Sequence, residues 1–313
     1  MIFLGIDAGS TTCKVVALNE KGEIVFKKYK YVEGDVLGTV MSLFEKNEEI
    51  LRNTIRVGVT GSSRNLVAKH FGTSIINSEI ISHSIAASYC YPGVGTIIEI
   101  GGQDAKYVVF EGNVLKEFSL NNSCGAGTGA FLENQCKKLG IGVADLDCYA
   151  SKATKEIDLS GKCGVFIESA VLNYQRLGES KENIVYAICK TLATNYLNEF
   201  CKGKALKEPV CFQGGVAKSK TIRAMFSKIL KQHIYVDEEN CQYMGAIGSA
   251  MISKEQMDSP DFVYDNMYDA KEYVRKYSSC KGCSQNCLLM DYYINEKLLF
   301  EIGGKCGKYD LKE

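Results

Sequence analysis

Short apolar runs interrupted by glycine-rich polar turns set the pattern of this chain. Residues 2–6, Ile-Phe-Leu-Gly-Ile, predict a buried strand that ends in Asp7-Ala-Gly-Ser-Thr-Thr. Cys13-Lys-Val-Val-Ala-Leu predicts the next strand, and Asn19-Glu-Lys-Gly22 the turn that closes it. Residues 35–52 carry the spacing of one amphipathic helix, Ile55-Arg-Val-Gly-Val reads as a strand, and Gly61-Ser-Ser-Arg64 starts another helix. The first plan then recurs: strand Thr96-Ile-Ile-Glu-Ile100, turn Gly101-Gly-Gln-Asp104, strand Lys106-Tyr-Val-Val-Phe110, turn Glu111-Gly-Asn113. In this reading Asp7 and Asp104 mark the two hairpin tips, and the repeat predicts two similar lobes with a nucleotide held between them. Later come a helix over 181–201, a strand over 209–213 running into Gly214-Gly-Val-Ala-Lys-Ser219 and a helix, and a strand over 234–236. The small residues of 243–251 predict a tightly packed helix, with Gly245 and Gly248 as packing positions.

A glycine and hydroxyl-rich tip between two core strands suits phosphate, because its N–H groups and its Ser and Thr hydroxyls are all donors. A plain β-turn fits either hairpin taken alone, and no Gly-x4-Gly-Lys-Ser/Thr loop is present. Each tip brings a carboxylate that can hold Mg²⁺, directly or through water, or orient an attacking water. The Gly214 turn would let an adenine and ribose lie against backbone. Glu79 and His83, four apart, share one helix face, either as a solvated polar face or as a metal or nucleotide contact.

Two cysteines stand where helices begin. Asn121-Asn-Ser-Cys124-Gly-Ala-Gly-Thr-Gly passes into an apolar pattern of helical spacing, and Ser160-Gly-Lys-Cys163-Gly-Val-Phe-Ile has a similar layout. A helix N-terminus stabilises a thiolate, so the pair suits an iron–sulfur cluster. A cubane cluster takes four thiolates, so two per chain imply two chains around one cluster. The alternative is two small core residues, since free cysteine is commonly buried.

The chain has 313 residues, enough for about two domains, with 46% apolar and 24% charged residues. Zero net charge and the absence of a basic run argue against nucleic acid. No apolar run reaches the roughly 20 residues that span a bilayer, and the first residues read as a strand rather than a signal peptide. Fourteen cysteines then point to a reducing, anaerobic cytoplasm. Eight of them (Cys13, Cys90, Cys136, Cys148, Cys189, Cys201, Cys211 and Cys241) lack ligand spacing and read as fillers.

Gly5-Ile-Asp-Ala-Gly-Ser-Thr-Thr, Ile98-Glu-Ile-Gly-Gly-Gln-Asp, Cys124-Gly-Ala-Gly-Thr-Gly-Ala-Phe-Leu-Glu, Cys163-Gly-Val-Phe-Ile-Glu-Ser and Gly214-Gly-Val-Ala-Lys occur in that order. In these stretches the chain resembles the ATP-dependent activators of 2-hydroxyacyl-CoA dehydratases and the ATPase subunits of benzoyl-CoA reductase. The likeness covers about residues 1–255. It implies an α/β fold of duplicated actin/sugar-kinase-like (ribonuclease H-like) ATPase lobes, over 1–120 and 121–255, the second carrying the cluster-binding helices. A small cysteine-rich extension would follow over 256–313. The resemblance further implies ATP, Mg²⁺ and a [4Fe–4S] cluster held in a homodimer by Cys124 and Cys163 of each chain. Asp7 and Asp104 would position metal and water, and Gln103 would orient the water. Gly9, Ser10, Thr11, Thr12, Lys14, Gly101 and Gly102 would cradle phosphates, and Gly214, Gly215 and Lys218 would border adenosine. A ferredoxin or flavodoxin would supply electrons for a dehydratase-like or double-cubane cluster partner.

Two features depart from that pattern. Glu168-Ser-Ala-Val follows the second cysteine where the family often has Glu-Ser-Glu-Val. After residue 255 come Cys280-x2-Cys283-x3-Cys287 and Cys306, a metal-site spacing that favours a second iron–sulfur cluster over zinc, with unligated thiols as the alternative. Two rival functions share the fold: a small-molecule kinase, and a nucleotide- and zinc-binding regulator.

Overall fold

The computed structural model describes residues 1–112, 114–121, 127–159, 163–202, 206–256, 258–259, 261–267, 269–306 and 308–309. They fall into two compact units, residues 1–86 with 245–313, and residues 87–244. In the first, β1 (Ile2–Ala8), β2 (Thr12–Leu18) and β3 (Ile24–Tyr31) form a meander. The short helices α1 (Val36–Ser42) and α2 (Glu48–Arg52), then β4 (Thr54–Thr60), α3 (Arg64–Phe71) and α4 (Glu79–Cys90) follow. The sheet order is β3-β2-β1-β4, with β1 parallel to β4, and a parallel bridge from Val59 to Ile76 extends it. Strands β1 and β4 are almost wholly buried, which is why they read as unbroken apolar runs. β3 carries Lys27, Lys28 and Lys30 and lies at the sheet edge, where lysines discourage further pairing, so an apolar pattern does not announce it.

The second unit repeats this order. It contains β5 (Thr96–Ile100), β6 (Ala105–Glu111), β7 (Val114–Leu120), α5 (Gly129–Leu139), α6 (Leu146–Ala150) and α7 (Gly164–Arg176). After them come α8 (Lys181–Phe200), β8 (Val210–Gln213), α9 (Lys220–Leu230) and β9 (Ile234–Tyr235). The sheet reads β7-β6-β5-β8-β9, with β5 parallel to β8. Its core gathers around the buried rings of Tyr196, Phe212 and Phe226.

Residues 35–52 form two helices rather than one. The first ends at Ser42, and Lys46, in a left-handed conformation (φ 65°), turns the chain before Asn47 opens the second. The strand at 209–213 leads into a 3₁₀ turn, Gly215–Lys218, before α9 begins at a Ser219 cap.

The chain then enters α10 (Met244–Glu255), followed by β10 (Val274–Ser279), β11 (Leu288–Ile294) and β12 (Lys297–Gly303) in an antiparallel sheet. α10 lies directly on the first sheet. A Cβ on Gly5 would overlap the Ala246 carbonyl, and one on Gly58 the Ser249 carbonyl. On the other side of α10, Gly248 is pressed against the Ser82 carbonyl of α4, so small residues there are a packing requirement. This return places the division at 86/87 and 244/245, whereas the sequence suggests 120/121 and 255/256. The described part of 256–313 likewise groups with the first unit rather than forming a separate extension: Ala270, Tyr273, Tyr292 and Ile294 join its core. The His70 ring nitrogen Nδ1 lies 2.8 Å from the Tyr273 hydroxyl, and Arg275 pairs with Asp35 at 2.9 Å.

Candidate functional site

In the first unit, the Gly9 N–H donates to the Thr12 carbonyl at 3.1 Å, closing the β1–β2 turn with Ser10 exposed at its tip. Asp7 and Lys14 face each other in register across the strands, and Lys14 Nζ sits 3.0 Å from Asp7 Oδ2. The Thr11 hydroxyl is buried and has no hydrogen-bond partner, as is the Thr60 hydroxyl, on β4 in register with Asp7. Buried polar atoms are nearly always paired in folded proteins, so two orphaned hydroxyls at one strand end suit a ligand that supplies oxygen atoms. Cys13, beside Lys14, is pushed up to about 12 by burial and by Asp7, so it remains a thiol.

His83 is buried rather than on a solvated face, while Glu79 is half-buried. Gly245, in the first turn of α10, completes this corner. A Cβ there would lie 3.0 Å from Asp7 Oδ2 and 3.2 Å from His83 Nε2. Gly248 fills the packing role expected of it, but Gly245 is a neighbour of the carboxylate.

The second unit repeats the hairpin, shifted from the sequence reading. The Gly101 N–H donates to the Asp104 carbonyl at 2.9 Å, and Glu99 pairs in register with Lys106. The counterpart of Asp7 is therefore Glu99, and Asp104 occupies the place of Thr12. Asp7 and Asp104 are not equivalent tips. Lys106 Nζ is buried between Glu99 Oε2 at 3.0 Å and Asp104 Oδ2 at 2.9 Å. The Tyr196 hydroxyl, whose pKa burial raises, donates to the Lys106 carbonyl at 2.6 Å. Glu99 was not among the expected site residues. Its signal was a carboxylate inside an otherwise apolar strand with a lysine seven residues on, the Asp7–Lys14 spacing again; a buried charge needs such a partner.

Gly214 (φ 89°) packs where a side chain would strike the Ile100 carbonyl and Glu99 Oε1. Gly215, with open space around it, and Lys218 are exposed beyond that turn, and Gln103 is exposed at the β5–β6 tip.

Of the two cysteines expected at helix starts, Cys124 lies outside the described residues. Cys163 is exposed and stands at the N-cap of α7, whose first-turn N–H groups have no intrahelical acceptor. Helix α5, which follows the Cys124 segment, is bonded to the second hairpin: the Gly129 N–H donates to the Gly101 carbonyl at 2.9 Å, and the Ala130 N–H to the Gly102 carbonyl at 2.7 Å. Lys138 of α5 forms an ion pair with Glu168 of α7, which gives Glu168 a task despite the missing second carboxylate. The β5–β6 turn, α5 and α7 are thus connected.

In the final sheet, Cys280 is buried, Cys287 half-buried, and Cys283 and Cys306 are exposed. Among the described residues no three His, Cys, Asp or Glu side chains converge as a metal site. No helix of the described residues is long and apolar enough to cross a membrane.

Two sheets that share a strand order, each with a glycine hairpin carrying a carboxylate–lysine pair, have the architecture of the actin/sugar-kinase-like fold. A glucokinase of Streptomyces griseus shares that fold, with a TM-score of 0.51 and 12% identity over 81% of this chain and 99% of its own. The chain belongs to the BadF/BadG/BcrA/BcrD ATPase family, whose pattern matches residues 4–253. It is 32% identical over 251 residues to the (R)-2-hydroxyglutaryl-CoA dehydratase activating ATPase of Acidaminococcus fermentans, covering 79% of this chain and 95% of that one. The activator of the 2-hydroxyisocaproyl-CoA dehydratase from Clostridium difficile, solved with bound ADPNP, superimposes with a TM-score of 0.75 at 28% identity, over 82% of this chain and 95% of its own.

Proposed function

We propose that this chain uses ATP hydrolysis to drive a low-potential electron into a 2-hydroxyacyl-CoA dehydratase-like or double-cubane cluster partner, as a homodimer supplied by a ferredoxin or flavodoxin. Relatives named as dehydratase activators support the partner class, and the relative solved with ADPNP supports the nucleotide. Gly9, Ser10, Thr11, Thr12 and Lys14 bind phosphate oxygens in the first unit, where the orphaned Thr11 hydroxyl gains a partner. Gly101 and Gly102 do so in the second, and Gly214, Gly215 and Lys218 border the adenosine. In the first unit Asp7, aimed by Lys14, and in the second Asp104, aimed by Lys106, would be the carboxylates available to Mg²⁺, and Gln103 would orient the attacking water.

Cys163 fits a cluster ligand, being an exposed thiol at a helix start. A [4Fe–4S] cluster held by Cys124 and Cys163 of two chains would supply a one-electron redox centre. Raising one electron by about 0.3 V takes about 7 kcal/mol, at roughly 1.4 kcal/mol per 59 mV, within reach of phosphate-bond hydrolysis.

The observation that carries the coupling is the pair of backbone bonds from Gly129 and Ala130 to the Gly101–Gly102 turn. A shift of that turn on hydrolysis pulls on α5 at its first residues, and the Lys138–Glu168 pair passes the pull to α7. The test is anaerobic activation of a purified dehydratase partner with reduced ferredoxin. Activation is expected only with hydrolysable ATP and is abolished by Cys163→Ser. Activation without nucleotide, or a Cys163→Ser protein that activates fully, would overturn the reading.

A further inference from the structure

We propose that one end of the β10–β11–β12 sheet is a thiolate metal site built by Cys280, Cys283, Cys287 and Cys306, holding a thiophilic centre, either one zinc ion or an iron–sulfur cluster. The family pattern ends at residue 253, so nothing in it assigns these residues, and the site stands apart from the ATP reading.

The topology brings all four cysteines to one edge. Cys280 directly follows β10 and Cys287 directly precedes β11, and the Cys280 N–H donates to the Cys287 carbonyl at 2.9 Å. Cys283 lies in the six-residue connection between them, which Asn286 turns with a φ of 43°. β12 runs antiparallel to β11, with Gly303 opposite Leu289, so the chain leaves β12 beside Cys287. Gly303 and Gly304, at φ 109° and 91°, then bend it back towards Cys306. The bend is tied down three residues later, where the Tyr309 hydroxyl donates to Cys280 Sγ at 3.2 Å.

Cys280 Sγ also accepts from the Gly282 N–H at 3.4 Å, two residues ahead within the Cys-x2-Cys turn. Donors aimed at sulfur are what a metal-bound thiolate needs around it. Lys281, Lys305 and Lys308 flank the cysteines and offset the negative charge of four thiolates. The sheet behind the site is anchored: Tyr292 and Ile294 lie in the first unit's core, and Lys69 donates to the Tyr309 carbonyl at 2.7 Å. The sulfurs themselves stand apart, so binding gathers the exposed Cys283 and Cys306 onto the strand ends by moving residues 281–286 and 304–306.

The test uses the full chain carrying Cys124→Ser and Cys163→Ser, so that any metal found is independent of the proposed shared cluster. The protein is purified anaerobically and assayed for zinc, iron and acid-labile sulfide. About one zinc per chain without sulfide identifies the single ion; about four iron and four sulfide per chain identify a cubane cluster. Either is expected to fall at least tenfold in Cys283→Ser/Cys306→Ser, whose side chains are exposed and whose far-ultraviolet circular dichroism should match the parent. Metal below about a tenth of an equivalent per chain in the parent, or undiminished in that variant, would overturn the proposal, whether or not the Cys124–Cys163 cluster exists.

Discussion

Replacing Lys106 with methionine removes the cation that Glu99 and Asp104 share. At 3.0 Å, two unit charges attract by about 5.5 kcal/mol for an effective dielectric constant near 20. Much of that offsets the cost of burying both groups, so the pair's net worth is far smaller. The variant is different, because it leaves Glu99 buried and charged without its cation. The expected loss is about 3–5 kcal/mol. Glu99→Gln should cost less, because Lys106 retains Asp104 at 2.9 Å. The double variant Glu99→Gln/Lys106→Met buries no unpaired charge and should recover at least about 1 kcal/mol relative to Lys106→Met alone. Urea unfolding followed by circular dichroism at neutral pH measures all three, with equal m-values as the check that one transition is being compared. A Lys106→Met cost below about 1 kcal/mol, or a double variant costing the sum of the singles, would refute the buried-pair reasoning.

Gly245→Ala places a methyl group 3.0 Å from Asp7 Oδ2, so ATP hydrolysis should fall by roughly tenfold or more through carboxylate displacement; steady-state phosphate release measures it, and an unchanged rate would remove Gly245 from the site. His70 is held at about 4 by burial, below its ordinary value near 6.5. Because the folded value is the lower one, the unfolded chain takes up the proton first as pH falls. The stabilisation is complete above about pH 6.5 and is lost between there and pH 4, by about 3 kcal/mol. Urea midpoints from pH 7 to 4 should therefore drop less in His70→Phe than in the parent, and parallel curves would contradict this.

The hairpins, the duplication and α10 were legible because each leaves a local mark. Buried strands are unbroken apolar runs, turns carry glycine, and a helix pressed on backbone carries small residues. β3 and β7 left none, because edge strands with exposed faces hold lysine and glutamate at positions a core strand would fill with apolar residues. The unit boundary was also illegible, since it depends on α10 packing on β1 and β4 and on the final sheet meeting α3, contacts between residues far apart in the chain. The likeness of Asp7 and Asp104 came from matching turn composition. Register decides equivalence instead, and it assigns Glu99 to the place of Asp7. Cys163 was legible as a helix-opening thiol, because the glycine and apolar pattern after it marks the start of α7, whereas Cys124 lies outside the described residues.

The central claim is that Cys163 ligates a redox centre shared by two chains. Iron and sulfide analysis of the anaerobically purified Cys280→Ser/Cys283→Ser/Cys287→Ser/Cys306→Ser protein, with electron paramagnetic resonance after dithionite reduction, tests it most directly. About four iron and four sulfide per two chains, with a signal that vanishes when Cys163→Ser is added, is the predicted result. A colourless protein after anaerobic reconstitution, or undiminished iron in the added Cys163→Ser variant, would contradict the account.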